Sequence, residues 1–249
     1  MNTDKVIFSE RDGLATLSLN KPEKLNSLDT EVFKELLLHI ERIEASTATI
    51  GCVVLRGNGR SFSAGHDLNA IGAVENPGEH AFQTSVIERL ANVPQPLISA
   101  VHGHCYTGAL ELALAGDIIF ASANARFADT HAKWALTPVW GLSQRLPRRV
   151  GIAKAREMMF GCGTYTGAEA ERMGLANSCF ADDMFEQEVE RFARAVLSNS
   201  WFSLRENKRL FIETDGMPLG AGIAHEVFRN RGTGPDMHQR IAAFAQRKR

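Results

Sequence analysis

The sequence predicts an α/β fold in which βα crossovers build an internal sheet and a helical region follows. Three observations carry that expectation. Short strand-like runs alternate with helical segments through the first half, several of those runs are apolar throughout, and beyond Ala181 the pattern is helical to the end. A strand that is apolar on both faces needs cover on both, which helical crossovers supply. With 249 residues, 44% of them hydrophobic and 23% charged, the chain is long enough for one sizeable core.

Residues 6–9 and 14–19 read as strands separated by Asp12-Gly13, a dipeptide suited to a hairpin turn. In residues 29–44, Val32, Phe33, Leu36, Ile40 and Ile43 recur at helical spacing behind Asp29, which is placed to cap a core-facing amphipathic helix. Residues 52–55, 97–101 and 118–121 are the buried-strand candidates. Met158-Met159-Phe160 reads as core. Thr166-Gly167-Ala168-Glu169 is a capping-box pattern opening a short helix that Gly174 can close. Phe185, Val189, Phe192 and Val196 line one face of the helix after it, and breaks near residues 198–200, 216–218 and 232–235 divide the remainder. No strict repeat or low-complexity linker separates independent domains, so residues 1–190 are expected to form the core and residues 191–249 a helical region of the same unit.

A net charge of −1 offers no electrostatic footprint for nucleic acid or a membrane surface. Cys52, Cys105, Cys162 and Cys179 are scattered, which points to reduced thiols and a cytoplasmic protein. No basic-then-apolar leader and no bilayer-length apolar run are present, so no membrane association is expected.

Glu111 is the anomalous residue. It sits in Thr107-Gly108-Ala109-Leu110-Glu111-Leu112-Ala113-Leu114-Ala115, in the first turn of an otherwise apolar helix. A buried carboxylate must be paired, hydrogen-bonded or partly protonated. Two readings fit: a structural acid bonded to backbone N–H groups, or a catalytic one. The N–H of Gly108, at the helix start, lacks an intrahelical acceptor and can receive an oxyanion. Phe62-Ser63-Ala64-Gly65-His66-Asp67-Leu68 is a small-residue turn that lets backbone approach a ligand, or an ordinary strand-to-helix turn. His131, in Arg126-Phe127-Ala128-Asp129-Thr130-His131, is either an acid/base near neutral pH or a structural or surface histidine. His102 and His104 could share a strand face as metal ligands, but no third ligand follows at a recognised spacing, so no metal site is expected. Gly57-Asn58-Gly59 begins like a dinucleotide fingerprint and fails at Phe62. Neither a P-loop nor a GxSxG elbow occurs.

At these segments the chain resembles the enoyl-CoA hydratase/isomerase family, the crotonase superfamily. The likeness runs through Lys21-Pro22-Glu23-Lys24-Leu25-Asn26-Ser27-Leu28, the segment from Phe62 to Leu68, residues 102–121, and residues 138–151 with their Gln144-Arg145-Leu146 core. It implies a crotonase-like spiral of ββα turns, then a C-terminal helical trimerisation region, with homotrimers or dimers of trimers as the assembly. It also implies an acyl-CoA substrate whose thioester carbonyl is held by the N–H groups of His66 and Gly108. Backbone at Ala64, Gly65, Asp67 and Leu68 would meet the adenine end, and Lys24 the CoA phosphates. No cofactor is implied beyond the coenzyme A of the substrate.

By the same resemblance, Glu111 matches the first of two glutamates that hydratases of this family place beside a water. The position of the second is occupied by His131. Thr107-Gly108-Ala109 keeps only the middle member of the family's glycine run, which should preserve the donor and narrow the pocket, while Trp134 and Trp140 add bulk nearby, with core packing as their simpler role. The expected activity is enoyl-CoA hydration, with Glu111 and His131 as the acid/base pair. A double-bond isomerase, a hydrolase and a non-catalytic acyl-CoA binder are the alternatives.

Overall fold

The initial hairpin forms one edge of the main sheet. Strands β1 (Val6–Arg11) and β2 (Leu14–Leu19) pair antiparallel, from Val6↔Leu19 to Arg11↔Leu14. Asp12 and Gly13 take φ values of 51° and 82°, the positive values that a two-residue turn needs to match the twist of its strands. The computed structural model describes residues 4–67 and 77–247. Beyond β2 the sheet grows by parallel neighbours, β3 (Cys52–Gly57), β4 (Leu97–Val101), β6 (Ile118–Ser122) and β9 (Ser178–Phe180), in the order β1-β2-β3-β4-β6-β9.

Alternation along these strands divides the core in two. Leu17, Leu19, Val53, Leu55, Leu97 and Val101 face α1 (Thr30–Ala45) and α2 (Pro77–Ala91) in the larger cluster. Leu14, Cys52, Val54, Ile98 and Phe120 face α7 (Phe185–Leu197) on the other side. Helix α1 supplies all five residues expected at its buried face, and the Asp29 carboxylate accepts the Val32 N–H at 2.9 Å as its cap. Each such side chain, fully buried, contributes about 1.5–3 kcal/mol.

A second, smaller layer creates the spiral. Strands β5 (His104–Tyr106), β7 (Arg126–Ala128) and β8 (Thr164–Thr166) form a three-stranded sheet, and the bridges Ser63↔Cys105 and Leu28↔His66 extend its β5 edge. After β2, β3, β4 and β6, the chain adds a short piece to this layer: Leu28, residues 63–66, β5 and β7 respectively. Buried Asn26 joins two of these turns. Its Nδ2 donates to the carbonyls of Asn58 and Ser61 at 2.9 and 2.8 Å, and its own carbonyl accepts from Ser63 Oγ at 2.7 Å.

The helices that follow are α3 (Gly108–Ala113), α4 (Leu142–Val150), α5 (Ile152–Gly161) and α6 (Gly167–Arg172). Both halves of the capping box expected at Thr166 and Glu169 are present. The expected boundary between residues 190 and 191 falls inside α7, whose Val189, Ala193 and Val196 belong to the core. Beyond it lie α8 (Trp201–Thr214), α9 (Leu219–Phe228) and α10 (Met237–Arg247). The expectation that Met158, Met159 and Phe160 are all core is corrected in part. Met158 is buried and Met159 packs partly on the core, but Phe160 is 77% exposed, because two helical steps carry it to the far side of α5. No helix among the described residues is long and apolar enough to cross a membrane.

Candidate active site

Glu111 is 1% exposed in α3, a six-residue helix all of whose residues are buried. Its two oxygens do different things. Oε1 accepts the N–H groups of Trp140 and Leu142 at 2.9 and 3.1 Å. Oε2 faces His131, whose Nε2 stands 3.7 Å away. The structural reading of this acid is thus met on Oε1, while Oε2 is left facing the imidazole. Burial pushes the Glu111 carboxyl upward from its ordinary range; the facing His131 and the two backbone N–H donors oppose that, and the nearby Asp129 charge adds to it.

His131 is 8% exposed and opens the 3-10 turn His131–Trp134 that follows β7. Its Nδ1 lies 2.6 Å from Asp129 Oδ1, and the same oxygen accepts the His131 backbone N–H at 3.2 Å. Asp129, 1% exposed, is the functional candidate that residue-by-residue reading passed over. Its signal was present as a carboxylate two positions before the histidine, but only the turn at residues 129–131 brings the two side chains together.

The backbone N–H groups expected as donors, those of His66 and Gly108, lie where two pieces of the second layer meet. In the bridge between Leu28 and His66, the Gly65 carbonyl accepts from Leu28 N and the Asp67 N–H donates to the Leu28 carbonyl, each at 2.9 Å. The peptide N–H of His66 therefore points to the opposite edge. That edge is Gly108's: a Cβ added to Gly65 would stand 3.6 Å from Gly108 N and 2.5 Å from the Tyr106 carbonyl oxygen. With φ at +99°, position 65 also requires glycine for its backbone conformation. Gly108 is equally constrained, since a Cβ there would meet the Trp140 ring at 2.5 Å. Thr107, just before it, holds φ 53° and ψ −108°, a strained conformation for a β-branched residue. Thr130 braces it: the two hydroxyls are 2.6 Å apart, and the Thr130 N–H donates to Thr107 Oγ1 at 3.1 Å. The start of α3 and the His131 turn are thereby tied together.

These groups share one cavity of about 490 Å³, whose wall includes Ala64, His66, Gly108, Glu111, His131 and Trp140. Trp140 is 2% exposed and packs edge-on against Phe33 and His66, so the core role fits it; Trp134, on the same wall, is 58% exposed and does not belong to the core. Lys24 is exposed and not part of this wall, although it precedes Leu25, whose carbonyl accepts the Ala64 N–H at 2.9 Å. Asp67 sits beside Ser27, 3.4 Å from its hydroxyl, away from the cavity wall. Leu68 lies outside the described residues. His102 Nε2 meets the Gly59 carbonyl at 2.9 Å, and among the described residues no group of three or more His, Cys, Asp or Glu is arranged to hold a metal.

Residues 9–245 match the family described as enoyl-CoA hydratase/isomerase. The chain belongs to this family, the crotonase superfamily. An enoyl-CoA hydratase from Bacillus anthracis superposes with a TM-score of 0.93 at 25% identity, covering 98% of this chain and 96% of that one. The 2,3-dehydroadipyl-CoA hydratase of Escherichia coli (strain K12) is 29% identical over 98% of this chain and 96% of its own length. From the same organism, 1,2-epoxyphenylacetyl-CoA isomerase is 29% identical over 95% and 93%. The fold implied by the family motifs is thus the fold observed, spiral front and helical rear alike.

Proposed function

We propose that this crotonase-family member is an enoyl-CoA hydratase-like lyase, adding water to an α,β-unsaturated acyl-CoA thioester or removing it in reverse. The observation that carries the reading is the 3.7 Å separation of Glu111 Oε2 and His131 Nε2 on one cavity wall, beside Gly108 and His66. One water oxygen can lie within hydrogen-bonding distance, about 2.8 Å, of both atoms. In the hydration direction Glu111 Oε2 takes a proton from water as its oxygen bonds the β-carbon. The negative charge moves onto the thioester oxygen, where the Gly108 and His66 N–H groups stabilise the enolate. The His131 imidazolium then gives its proton to the α-carbon. Proton transfer from Glu111 to His131 restores the starting state.

Names among the relatives support hydration, and the family's description as enoyl-CoA hydratase/isomerase supports a second reading, double-bond isomerisation, in which a single acid/base moves a proton between carbons. Loss of crotonyl-CoA absorbance in the purified protein is the expected result, with incorporation of heavy oxygen from labelled water. Turnover without label would favour isomerisation; release of free CoA would mean hydrolysis; no turnover beside tight acyl-CoA binding would leave a binding protein. Glu111→Gln is expected to keep acyl-CoA binding while lowering turnover about 10²- to 10⁴-fold, since it preserves shape and removes the base.

Coenzyme A enters as part of the substrate, with no further cofactor. Backbone at Ala64 and Gly65 would meet its adenine end and Lys24 its phosphates. The assembly is a homotrimer, alone or paired into a hexamer. Support comes from the apolar surface of the rear helices: α9 has no buried residue, and Phe211, Leu219 and Phe228 are 78%, 80% and 84% exposed. Sedimentation at micromolar concentration should give a trimer or hexamer, and a monomer would overturn this. Free thiols at all four cysteines support a cytoplasmic location.

A further inference from the structure

We infer that Asp129 is a positioning residue for the acid/base step: it holds His131 with Nδ1–H inward, so that Nε2 exchanges protons with the reacting atoms and Glu111. The inference rests on the assignment of His131 as an acid/base. Asp129 Oδ1 lies 2.6 Å from Nδ1, short enough for a charge-assisted hydrogen bond, and both side chains are buried. An ionised carboxylate only accepts, so the ring nitrogen facing it must carry the proton. In the neutral ring Nε2 is then the basic atom. Among the described residues Asp129 is the side chain that meets Nδ1, on the side of the ring opposite the nitrogen turned to Glu111. Facing the imidazole are Glu111 from α3 and Asp129 behind it, while His66, His80, Tyr106 and Lys133 line the same cavity.

A purely structural role predicts something different. Asp129 Oδ1 also accepts the His131 backbone N–H at 3.2 Å, and an amide oxygen can do that equally well. Asp129→Asn separates the two roles, because it keeps an acceptor for the backbone but removes the charge, and its amide N–H can turn to Nδ1 and trap the opposite tautomer. The expected result is a fall in kcat of about 10²- to 10⁴-fold at mildly alkaline pH with KM within a few-fold of wild type. Unchanged kcat would overturn the inference.

A measurement on the wild-type protein avoids any folding defect in the variant. Nitrogen NMR of histidine-labelled protein at alkaline pH, with the His131 signal assigned by its absence in His131→Gln, should find the Nδ1–H tautomer. The Nε2–H tautomer would overturn the inference. His131→Ala distinguishes this from failure of the acid/base assignment: an active His131→Ala variant removes that assignment, whereas an inactive one beside a normal Asp129→Asn removes only the positioning role.

Discussion

The Glu111 oxygen that takes no backbone hydrogen bond lies 3.7 Å from Nε2 of His131, while the other oxygen is fixed by two main-chain N–H groups. The carboxyl is thus oriented by the backbone on one oxygen and faces a single imidazole with the other.

That arrangement has a pH-dependent consequence for stability. Burial raises the folded-state pKa of Glu111 above its unfolded value, so the folded chain binds this proton more tightly. The associated stability is complete below the ordinary glutamate range and is lost as pH rises through the folded-state value. Glu111→Gln keeps an oxygen for the Trp140 and Leu142 N–H groups and carries no charge. Its melting temperature relative to wild type should therefore be higher at neutral pH than at acidic pH. Calorimetry across that range checks it; a difference that grows on acidification would contradict the assigned direction.

Gly108→Ala places a methyl group 2.5 Å from the Trp140 ring. Overpacking of this kind costs about 1–3 kcal/mol, and here it also displaces a proposed donor N–H. Urea unfolding should register the stability loss, and steady-state kinetics a larger fall in kcat than in acyl-CoA affinity.

Lys208 anchors α8 to the main sheet. Its buried ammonium is 2.7 Å from Asp117 Oδ2 and 3.1 Å from the Gln95 carbonyl, and Asp117 Oδ2 also accepts the Leu97 N–H at 2.7 Å. Lys208→Met should destabilise the protein by about 1.5–3 kcal/mol, the usual value of hydrogen bonds to a charged group. Asp117→Asn should then cost less in that background than in wild type, because its ammonium partner is already gone. Denaturation midpoints of the single and double variants measure both effects.

Local features of the sequence predicted their structure well. The Asp29 cap and its five core residues, the Asp12-Gly13 turn and the Thr166 capping box are each decided by neighbours a few positions apart. The second layer was mostly hidden, because β5, β7 and β8 have three residues each, too few for a period-two pattern to declare itself, and their pairing partners are distant in sequence. At the site, Glu111 was conspicuous as an acid in an apolar helix. Asp129 was not, because an acid in a polar stretch reads as surface until the turn at residues 129–131 is seen to bury it against His131. Phe160 failed for the opposite reason: a hydrophobic residue beside two buried-type methionines lies on the wrong side of its helix.

Trp140 meets the site through two independent parts of itself. Its main-chain N–H orients Glu111, and its indole fills the space above Gly108. Because every residue except proline offers that N–H, the hydrogen bond to Glu111 does not itself depend on which side chain stands at position 140. The shape of the cavity wall at position 140 is therefore set by the side chain, and the placement of the Glu111 carboxyl by the main chain.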